Sequence, residues 1–356
     1  MMKTVGIDCR FASTRSGLGR FTRELVTHLL RRDDPWRYVL FARNPHEEWL
    51  HELRPARCQL QAASFPHYSL SEQLRFPRMI YSARIDLLFS PHFNVPLLSP
   101  VPTVVTIHDL ILHRYPNEAP LRRRLAYRFL FRSAVRRARR VLCVSQFTAD
   151  ELCAIEGEEL RPKITVTLEG VSPRFHPLRP DDCQPVLRRY GIRESFFLYV
   201  GNAKQHKNVQ MLIDAYASLR DPSTSLVLVT GGKETSRLRL VDGVRLVDAV
   251  SDEDLPALYS AARVFVTASL YEGFCLPLAE AAACGCPIIG TRRGAIPEVA
   301  PPGALLVDPT LEAMSAALAS PPPAAPAPER KWTWEAVAEH AARVLGQCLA
   351  GTDAIA

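Results

Sequence analysis

Short apolar runs alternate with amphipathic, helix-type stretches along almost the whole chain. In the first half, runs of buried type predict strands at residues 4–8, 38–41, 87–89, 103–107 and 141–144. The second half shows the same alternation, with strands predicted at residues 196–200, 225–230, 244–246, 263–268 and 287–290. Such alternation is typical of right-handed βαβ units in parallel sheets. The pattern therefore predicts an α/β fold with one doubly wound sheet in each half.

Two proline-rich stretches divide the chain. Residues 175–180 separate the two predicted sheets, and residues 320–328 form a stiff, low-complexity linker ahead of a last helix at 334–349. We therefore predict an N-terminal domain at residues 1–178 and a C-terminal domain at 179–333. A closing helix with its tail occupies residues 334–356.

The charge is unevenly distributed over the 356 residues, whose net charge is +7. Residues 1–180 hold 28 Lys and Arg against 17 Asp and Glu, a net charge of +11, and the remainder hold 16 against 20, a net charge of −4. An anionic acceptor or an anionic membrane surface would meet the basic half. Nucleic acid is not an expected partner, because no basic motif is interleaved with aromatic residues.

Residues 121–140 concentrate this basic charge. They contain nine arginines and no acid, and apolar residues such as Leu125 and Phe129 recur at helical spacing. Two interpretations stay open for this helix: a solvated basic face, or peripheral docking on an anionic membrane.

The cysteine pattern indicates a reducing compartment. The nine cysteines include no C-x-x-C pair, and several lie inside predicted core elements, so buried thiols are expected rather than disulfides. The chain runs directly into its first strand, and no apolar run is long enough to cross a bilayer. The sequence therefore predicts a cytoplasmic protein, with peripheral association at the inner membrane as an open expectation.

Residues 269–281 carry the most informative chemistry. Glu272 stands in a glycine-bearing loop after a predicted strand, Glu280 stands in the first turns of the next helix, and Pro277 suits the start of that helix. A helix N-terminus favours an anion. Two carboxylates on either side of it suit hydroxyl groups at both ends of a diphosphate, as in a sugar nucleotide.

The spacing of Glu272 and Glu280, with seven residues between them, resembles the E-x7-E motif of family 4 retaining glycosyltransferases. Residues 255–259, 271–274 and 284–287 also resemble that family, and the resemblance covers nearly the whole chain. It implies the GT-B fold, with two Rossmann-like domains facing an interdomain cleft. The chain is most similar to mannosyltransferases of O-antigen or exopolysaccharide assembly. That similarity implies transfer of mannose from GDP-mannose to a glycan or lipid-linked oligosaccharide.

The resemblance assigns roles in the C-terminal half. Glu272 would contact the donor hexose, Glu280 the ribose, and Lys207 the diphosphate. The remaining donor-binding positions are Asn202, Gly273, Phe274, Cys275 and Leu276. This sequence departs from the family at Asn202, where the family often has arginine, and at Cys275, where it usually has glycine. His206 likewise replaces an arginine of the mannosyltransferase version of this motif.

In the N-terminal half, the resemblance places Gly17 and Gly19 near the donor diphosphate and the acceptor, although a tight strand-to-helix turn would also use glycine there. His108 would face the donor sugar, or else be a histidine bonded in a strand-end turn. His92 and Arg20 are assigned to the acceptor side, although Arg20 could instead be a solvated residue of the first helical turn.

Residues 252–254 spell the D-x-D signature of metal-dependent glycosyltransferases of another fold. Here Asp252 and Asp254 precede a predicted helix, so we interpret them as its acidic cap. Because Lys207 and helix amides can meet charge on the leaving group, no metal and no other cofactor is expected.

Two rival functions stay open. A sugar-nucleotide epimerase or hydrolase would keep the same site with another reaction. A non-catalytic glycosyltransferase-like partner subunit would carry a degenerate site, and the departures at Asn202, His206 and Cys275 leave that interpretation open.

Overall fold

The computed structural model describes residues 2–14, 17–51, 53, 58–116, 120–248, 250–323 and 332–351. The chain divides into two units. Unit 1 comprises Met1–Gly170 with Trp332–Ala356, and unit 2 comprises Val171–Lys331.

Parallel strands and helices alternate in both units. The strands are β1 Lys3–Asp8, β2 Trp36–Ala42, β3 Cys58–Ala62, β4 Leu87–Ser90, β5 Thr103–Ile107, β6 Arg140–Cys143, β7 Ile164–Val166, β8 Ser195–Val200, β9 Thr224–Val229, β10 Val244–Val247, β11 Val264–Val266, β12 Ile288–Thr291 and β13 Leu305–Val307. The α-helices are α1 Gly17–Arg31, α2 Glu48–His51, α3 Leu70–Ser82, α4 Ile111–Arg114, α5 Leu121–Arg137, α6 Gln146–Glu156, α7 Pro180–Arg189, α8 Val209–Ser218, α9 Leu255–Ala261, α10 Leu276–Ala283, α11 Ile296–Val299, α12 Leu311–Ala319 and α13 Trp334–Ala350.

Unit 1 holds a seven-stranded parallel sheet in the order β3-β2-β1-β4-β5-β6-β7. The order reverses direction at β1, which pairs with β2 on one side and β4 on the other. Every strand predicted in the first half is present. Strands β3 and β7 escaped prediction because they lie at the edges of the sheet and none of their residues is buried, so neither carries a run of buried apolar residues.

The two faces of this sheet are covered by different helices. Phe76 of α3 and Phe131 of α5 join one core together with Phe41 of β2. On α1 and α13, Phe21 and Trp334 meet edge to face with ring centroids 5.5 Å apart. The closing helix therefore belongs to unit 1, and the Thr333 side chain caps its start by accepting from Ala336 N.

Unit 2 holds a six-stranded parallel sheet in the order β10-β9-β8-β11-β12-β13. Its core includes Phe197 of β8, Val266 of β11 and Ile289 of β12. All strands predicted in the second half are present, and β13 was missed because its three residues are half-buried. The two doubly wound sheets confirm the predicted fold class.

Two boundaries differ from the sequence prediction. Unit 1 ends at Gly170 rather than after residue 178, because Phe175 packs against Tyr259 of unit 2 with ring centroids 6.0 Å apart. The arginine-rich helix ends at Arg137, since Arg140 already belongs to β6 and donates to the Pro162 carbonyl. Of the predicted proline-rich linker, residues 324–328 lie outside the described residues. No described helix has both the length and the apolar character needed to cross a bilayer.

Candidate active site

In unit 2, the loop between β11 and α10 carries Glu272. The loop is tied internally, since Thr267 Oγ1 donates to Ser269 Oγ at 3.0 Å and Thr291 Oγ1 donates to the Ser269 carbonyl. These bonds hold the loop at the carboxyl end of β11, which is the edge where doubly wound folds bind ligands.

Lys207 and Glu272 form a largely buried ion pair. Lys207 Nζ lies 2.6 Å from Oε1 and 2.7 Å from Oε2 of Glu272, and Ser269 Oγ donates to Oε1 at 2.7 Å. The two charged side chains are only 18% and 10% exposed. Charge-assisted bonds are strong in such surroundings. The fold thus brings together two of the three predicted catalytic residues.

Adjacent strands explain this pairing of residues distant in sequence. Lys207 follows β8 and Glu272 follows β11, and these strands pair in parallel. Leu270 N donates to the His206 carbonyl at 2.7 Å, which joins the two loops. A Cβ at Gly294, where φ is +60°, would lie 2.6 Å from the backbone N and O of Glu272. Glycine is therefore needed at residue 294 for the backbone to approach so closely.

Glu280 lies in α10 with only 2% of its surface exposed. The hydroxyl of Tyr259, from the neighbouring helix α9, donates to Glu280 Oε2 at 3.1 Å. This contact gives a structural reason for Tyr259 in the motif at residues 255–259. A buried carboxylate needs donors of this kind.

The segment between β8 and α8, which carries Lys207, also contains Asn202 and Lys204, and both are exposed. The Asn202 side-chain oxygen accepts from Lys204 N at 3.2 Å, and its carbonyl accepts from the Tyr199 hydroxyl at 2.6 Å. His206 is buried. Asn202 thus shapes the loop through its own side chain, and Lys204 is the exposed cation of this segment.

In unit 1, both ring nitrogens of His108 face hydrogen-bond acceptors. Nδ1 lies 3.0 Å from Glu169 Oε1, and Nε2 lies 2.9 Å from the Pro91 carbonyl. A carbonyl and a carboxylate can only accept, so the ring carries both protons. Burial lowers the pKa of His108, but the hydrogen bond and the charge of Glu169 more than offset it, and the net shift is upward. The surroundings at the end of β5 therefore favour the imidazolium form of His108.

His92, which follows β4, is in the opposite state. Its Nδ1 accepts from Asn94 N at 3.1 Å. Burial lowers its pKa well below the usual value, with a further contribution from His108. The ring is therefore neutral at pH 7, and its proton is on Nε2.

The predicted glycine loop opens α1 directly, because the helix begins at Gly17. A Cβ on Gly19 would lie 2.0 Å from the Thr14 carbonyl, whereas a Cβ on Gly17 would meet nothing within 4 Å. Gly19 is thus required by close backbone packing. Arg20 is half-buried in the first turn of α1.

The sequence matches the family model described as Glycosyltransferase Family 4 over residues 15–175, and the model described as Glycosyl transferases group 1 over residues 189–320. Together these matches span most of both units. The chain therefore has two glycosyltransferase domains, the first of family 4 and the second of group 1.

Two relatives of this chain are O-antigen chain mannosyltransferases. The chain is 31% identical to O-antigen chain mannosyltransferase B of Escherichia coli over 60% of its own length and 59% of the relative. It is 29% identical to O-antigen chain mannosyltransferase RfbU of Salmonella typhimurium over 68% of its own length and 66% of the relative. The chain thus matches less than two thirds of the length of either mannosyltransferase.

Solved structures share the GT-B fold at low identity. Sucrose-phosphate synthase from Thermosynechococcus elongatus aligns with a TM-score of 0.76 at 20% identity, covering 98% of this chain and all of that one. Anabaena HepE in complex with UDP-glucose aligns with a TM-score of 0.70 at 17% identity, covering 98% of this chain and 100% of the other. The lipopolysaccharide glycosyltransferase WaaG aligns with a TM-score of 0.67 at 15% identity, over 98% and 94% of the two chains.

Cys275, where this sequence departs from the family, has a backbone conformation that favours glycine. Cys275 has φ +76° and ψ +60°, the left-handed conformation that favours glycine, and it is the N-cap of α10. A side chain in that conformation costs about 1 kcal/mol or more. Burial raises the pKa of its thiol well above the usual value, and Glu272 raises it further. The thiol is therefore protonated and is not an activated nucleophile.

The D-x-D signature includes a carboxylate, Asp254, that is engaged by neighbouring side chains. Asp254 precedes α9 as predicted, but its side chain makes no capping bond. Its carboxylate instead accepts from Arg189 Nη1 at 2.9 and 2.7 Å and from the Tyr190 hydroxyl at 2.7 Å, which ties α7 to α9. Asp254 therefore stands at the predicted N-cap position, but its side chain does not cap the helix. Within the described ranges, no group of three or more His, Cys, Asp or Glu could hold a metal ion.

Sequence reasoning missed Glu169, Tyr259 and Ser269 as partners of the assigned residues. Glu169 lies 61 positions from His108, and Tyr259 lies 21 positions from Glu280. Ser269, by contrast, stands only three residues before Glu272. Tyr259 stood in a motif that the family resemblance had already marked. Nothing in the local pattern around Glu169 identified it.

Proposed function

We propose that this chain is a retaining hexosyltransferase that moves mannose from GDP-mannose to a glycan or lipid-linked oligosaccharide in polysaccharide or O-antigen assembly. Two mannosyltransferase relatives support the sugar and the pathway class. The single observation that carries the proposal is the Lys207–Glu272 ion pair, held in a loop that leads directly into the helix bearing Glu280.

The three charged residues divide the donor among them. Glu280, nearly buried in α10, would accept from ribose hydroxyls. Lys207 would bind the diphosphate, and Glu272 would accept from hydroxyls of the hexose. The nucleotide and the sugar would then lie on opposite sides of the start of α10, whose free amides favour the diphosphate between them.

Charge balance gives Lys207 its part in the reaction. As the bond between the anomeric carbon and the diphosphate oxygen breaks, negative charge grows on the leaving nucleoside diphosphate. Lys207 can neutralise this charge. Before the donor binds, the ammonium group of Lys207 is itself neutralised by Glu272 at 2.6 Å. An arriving diphosphate would compete for Lys207 and release the Glu272 carboxylate toward the hexose. The same two groups thus change partners between the free and the donor-bound enzyme.

We propose that this chemistry needs no metal. Lys207 and the amides of α10 supply the positive charge that a divalent ion supplies in other glycosyltransferases. The D-x-D carboxylate Asp254 is engaged by Arg189 and Tyr190, which supports the same proposal. The assignment of His108 to the hexose, and of Gly17, Gly19 and Arg20 to donor or acceptor, stays a prediction.

We further propose that unit 1 docks on an anionic membrane surface. Leu121, Leu125 and Phe129 form a stripe along α5, and each is more than half exposed. On α3, which packs on the same face of the sheet, Leu70 and Leu74 are also exposed. We call these five residues the docking face. Exposed arginines accompany it on both helices: Arg75, Arg78, Arg122, Arg128 and Arg132. Apolar side chains beside basic ones suit the headgroup region of anionic lipids.

A donor panel tests the proposal. GDP-mannose, UDP-glucose, UDP-N-acetylglucosamine and dTDP-rhamnose are compared by the rise that each causes in Tm, since a ligand that binds only the folded state stabilises it. We expect GDP-mannose to give the largest rise and Lys207→Ala to abolish most of it. A larger rise with another donor, retained in turnover assays, would replace mannose in the proposal.

Acceptor dependence separates transfer from the rival reactions. We expect nucleoside diphosphate to be released only when a glycan acceptor is added, with the configuration of the anomeric carbon retained in the product. Release without any acceptor would identify a hydrolase. A protein that binds no sugar nucleotide would instead be a non-catalytic partner.

A further inference from the structure

Three segments of unit 1 meet at the carboxyl ends of neighbouring strands. A 3-10 segment after β1 carries Phe11, the chain after β3 carries His67 and Tyr68, and the chain after β4 carries His92. Strands β3, β2, β1 and β4 are consecutive in the sheet. We call these four side chains the ring platform. It occupies the edge of the unit 1 sheet where a doubly wound fold binds ligands.

The platform is built from rings in contact. Phe11 stacks on His67 with centroids 3.8 Å apart and an interplanar angle of 14°, and it lies 4.6 Å from His92. Tyr68 meets His92 edge to face at 6.4 Å. Tyr68 is 45% exposed, and the other three rings are half-buried. Ring surface is therefore offered to solvent at this edge.

A buried network holds Tyr68 in place. Its backbone has φ +58°, the left-handed region that tyrosine seldom adopts, and its N–H donates to Glu72 Oε2 at 2.6 Å. The other Glu72 oxygen lies 2.6 Å from Arg10, whose guanidinium is completely buried. Backbone strain that the surroundings impose in this way tends to occur at functional sites.

The two histidine rings of the platform are neutral at pH 7. Burial lowers the pKa of His67 to about 4, helped by the charge of Arg10, and His92 is neutral for the reason given above. The charged groups around the rings are Arg10, Arg43 and His108 on the positive side and Asp8 and Glu72 on the negative side. The buried guanidinium of Arg10 forms ion pairs with Asp8 and Glu72, both at 2.6 Å.

These features select a class of ligand. A phosphate is held by cations or by a row of backbone amides, whereas the four rings themselves offer stacking surface and single hydrogen bonds. The apolar C–H face of a sugar ring fits an aromatic surface, and the Nε2 proton of His92 can donate to a sugar hydroxyl. We propose that the ring platform binds an uncharged pyranose of the acceptor glycan, rather than its phosphate or lipid part. This inference rests on the proposed transferase function.

The test measures the acceptor separately from the donor. Tyr68→Ala and His92→Ala are compared with Tyr81→Ala, a matched control because Tyr81 is exposed in the last turn of α3. Binding of methyl α-mannobioside to the full chain is followed by saturation-transfer NMR, and GDP binding by calorimetry. We expect a loss of mannobioside affinity of about tenfold in both platform variants, on the scale of one aromatic contact. GDP affinity should stay within twofold, and Tyr81→Ala should match the wild type.

Two outcomes would overturn the inference. One is unchanged mannobioside binding in Tyr68→Ala and His92→Ala. The other is competition for the site by inorganic pyrophosphate with no binding of the neutral sugar, which would indicate a phosphate subsite. Because binding is read without turnover, failure of the transferase proposal would appear separately, as absence of transfer from any donor despite intact mannobioside binding.

Discussion

At the scale of single residues, the decisive feature is a lysine whose partner we propose to change when the donor binds. Lys207 is neutralised by Glu272 in the free protein, with Ser269 donating to the same carboxylate. In the proposed reaction the diphosphate takes the lysine. The two side chains should therefore differ in what their removal does to binding and to turnover.

We expect Lys207→Ala to lower kcat by roughly two orders of magnitude or more, the scale of one lost electrostatic stabiliser. Activity should persist in EDTA. The measurement is transfer rate with and without chelator, and Lys204→Ala, which removes an exposed cation of the same loop, is the control. Complete loss in EDTA, restored by Mn²⁺ or Mg²⁺, would contradict the metal-free mechanism.

The two carboxylates should separate in the same assays. Glu280→Gln should weaken binding of free GDP, because it weakens an acceptor for ribose hydroxyls. Glu272→Gln should keep GDP binding and lower kcat, since its contact with the hexose can strengthen in the transition state. Tyr259→Phe controls for the bond that Tyr259 makes to Glu280. The roles would be reversed if Glu272→Gln lost GDP affinity while Glu280→Gln kept it.

His108 predicts a pH dependence of stability. Its folded pKa lies above the unfolded value of about 6.5, because Glu169 favours the imidazolium. The stabilisation is therefore complete below about pH 6.5 and is lost as pH rises through the folded pKa. We expect the stability advantage of the wild type over His108→Gln, measured by urea unfolding, to shrink over that range.

His340→Gln is the matched control for this titration. Burial lowers the pKa of His340, so it is neutral throughout the alkaline range. Its replacement should leave the slope of stability against pH unchanged there. A wild-type slope equal to that of His108→Gln would show that the ring is not an imidazolium in the folded state.

At the scale of elements, α5 is unusual in what it leaves exposed. A helix normally turns its apolar side to the core, and α5 does so with Phe131 and Val135. It also exposes Leu121, Leu125 and Phe129 on its outer side. A second apolar stripe among arginines is a feature of helices that lie at a membrane surface.

We expect binding to anionic vesicles at low salt that weakens as salt rises, since the attraction fades within a Debye length of about 10 Å at 0.1 M. Changing Arg122 and Arg128 together to Gln should reduce it by about 1 kcal/mol for each charge. Phe129→Ser should also weaken binding, but with less dependence on salt. Leu311→Ser, an exposed apolar site in unit 2, is the control. Failure of the wild type to sediment with anionic vesicles at low ionic strength would reduce α5 to a solvated basic face.

At the scale of the whole molecule, the chain enters unit 2 after Gly170 and returns to unit 1 before α13. The returning helix carries Trp334, which is fully buried against Phe21 and beneath Gly170. A Cβ at Gly170 would lie 2.6 Å from the Trp334 ring. The stability of unit 1 therefore depends on residues from both ends of the chain.

We expect Trp334→Ala to destabilise unit 1 by about 3–5 kcal/mol, the usual cost of emptying a large buried aromatic site. GDP binding by unit 2 should survive under conditions where the variant is folded. Urea unfolding reports the first quantity and calorimetry the second. Trp49→Ala, at a half-buried site, should cost less. Equal costs at Trp334 and Trp49 would contradict the proposed role of α13.

The sequence by itself determined the fold class, the central strands and the loop that carries Glu272. Strands such as β5 and β9 consist almost wholly of buried residues, and a run of that kind is visible locally. The loop of Glu272 was recognisable because its residues are consecutive. Edge strands such as β3 were not recognisable, because they bury little.

Tertiary structure decided the contacts and the protonation states. Lys207 meets Glu272 across 65 positions because β8 and β11 are neighbours in the sheet, and His108 meets Glu169 across 61. His92 and His108 are the same residue type, each after a strand of one sheet, yet the pKa of the first is lowered and that of the second is raised. Local patterns report how one element is buried, whereas charge depends on the groups that strand order places beside it.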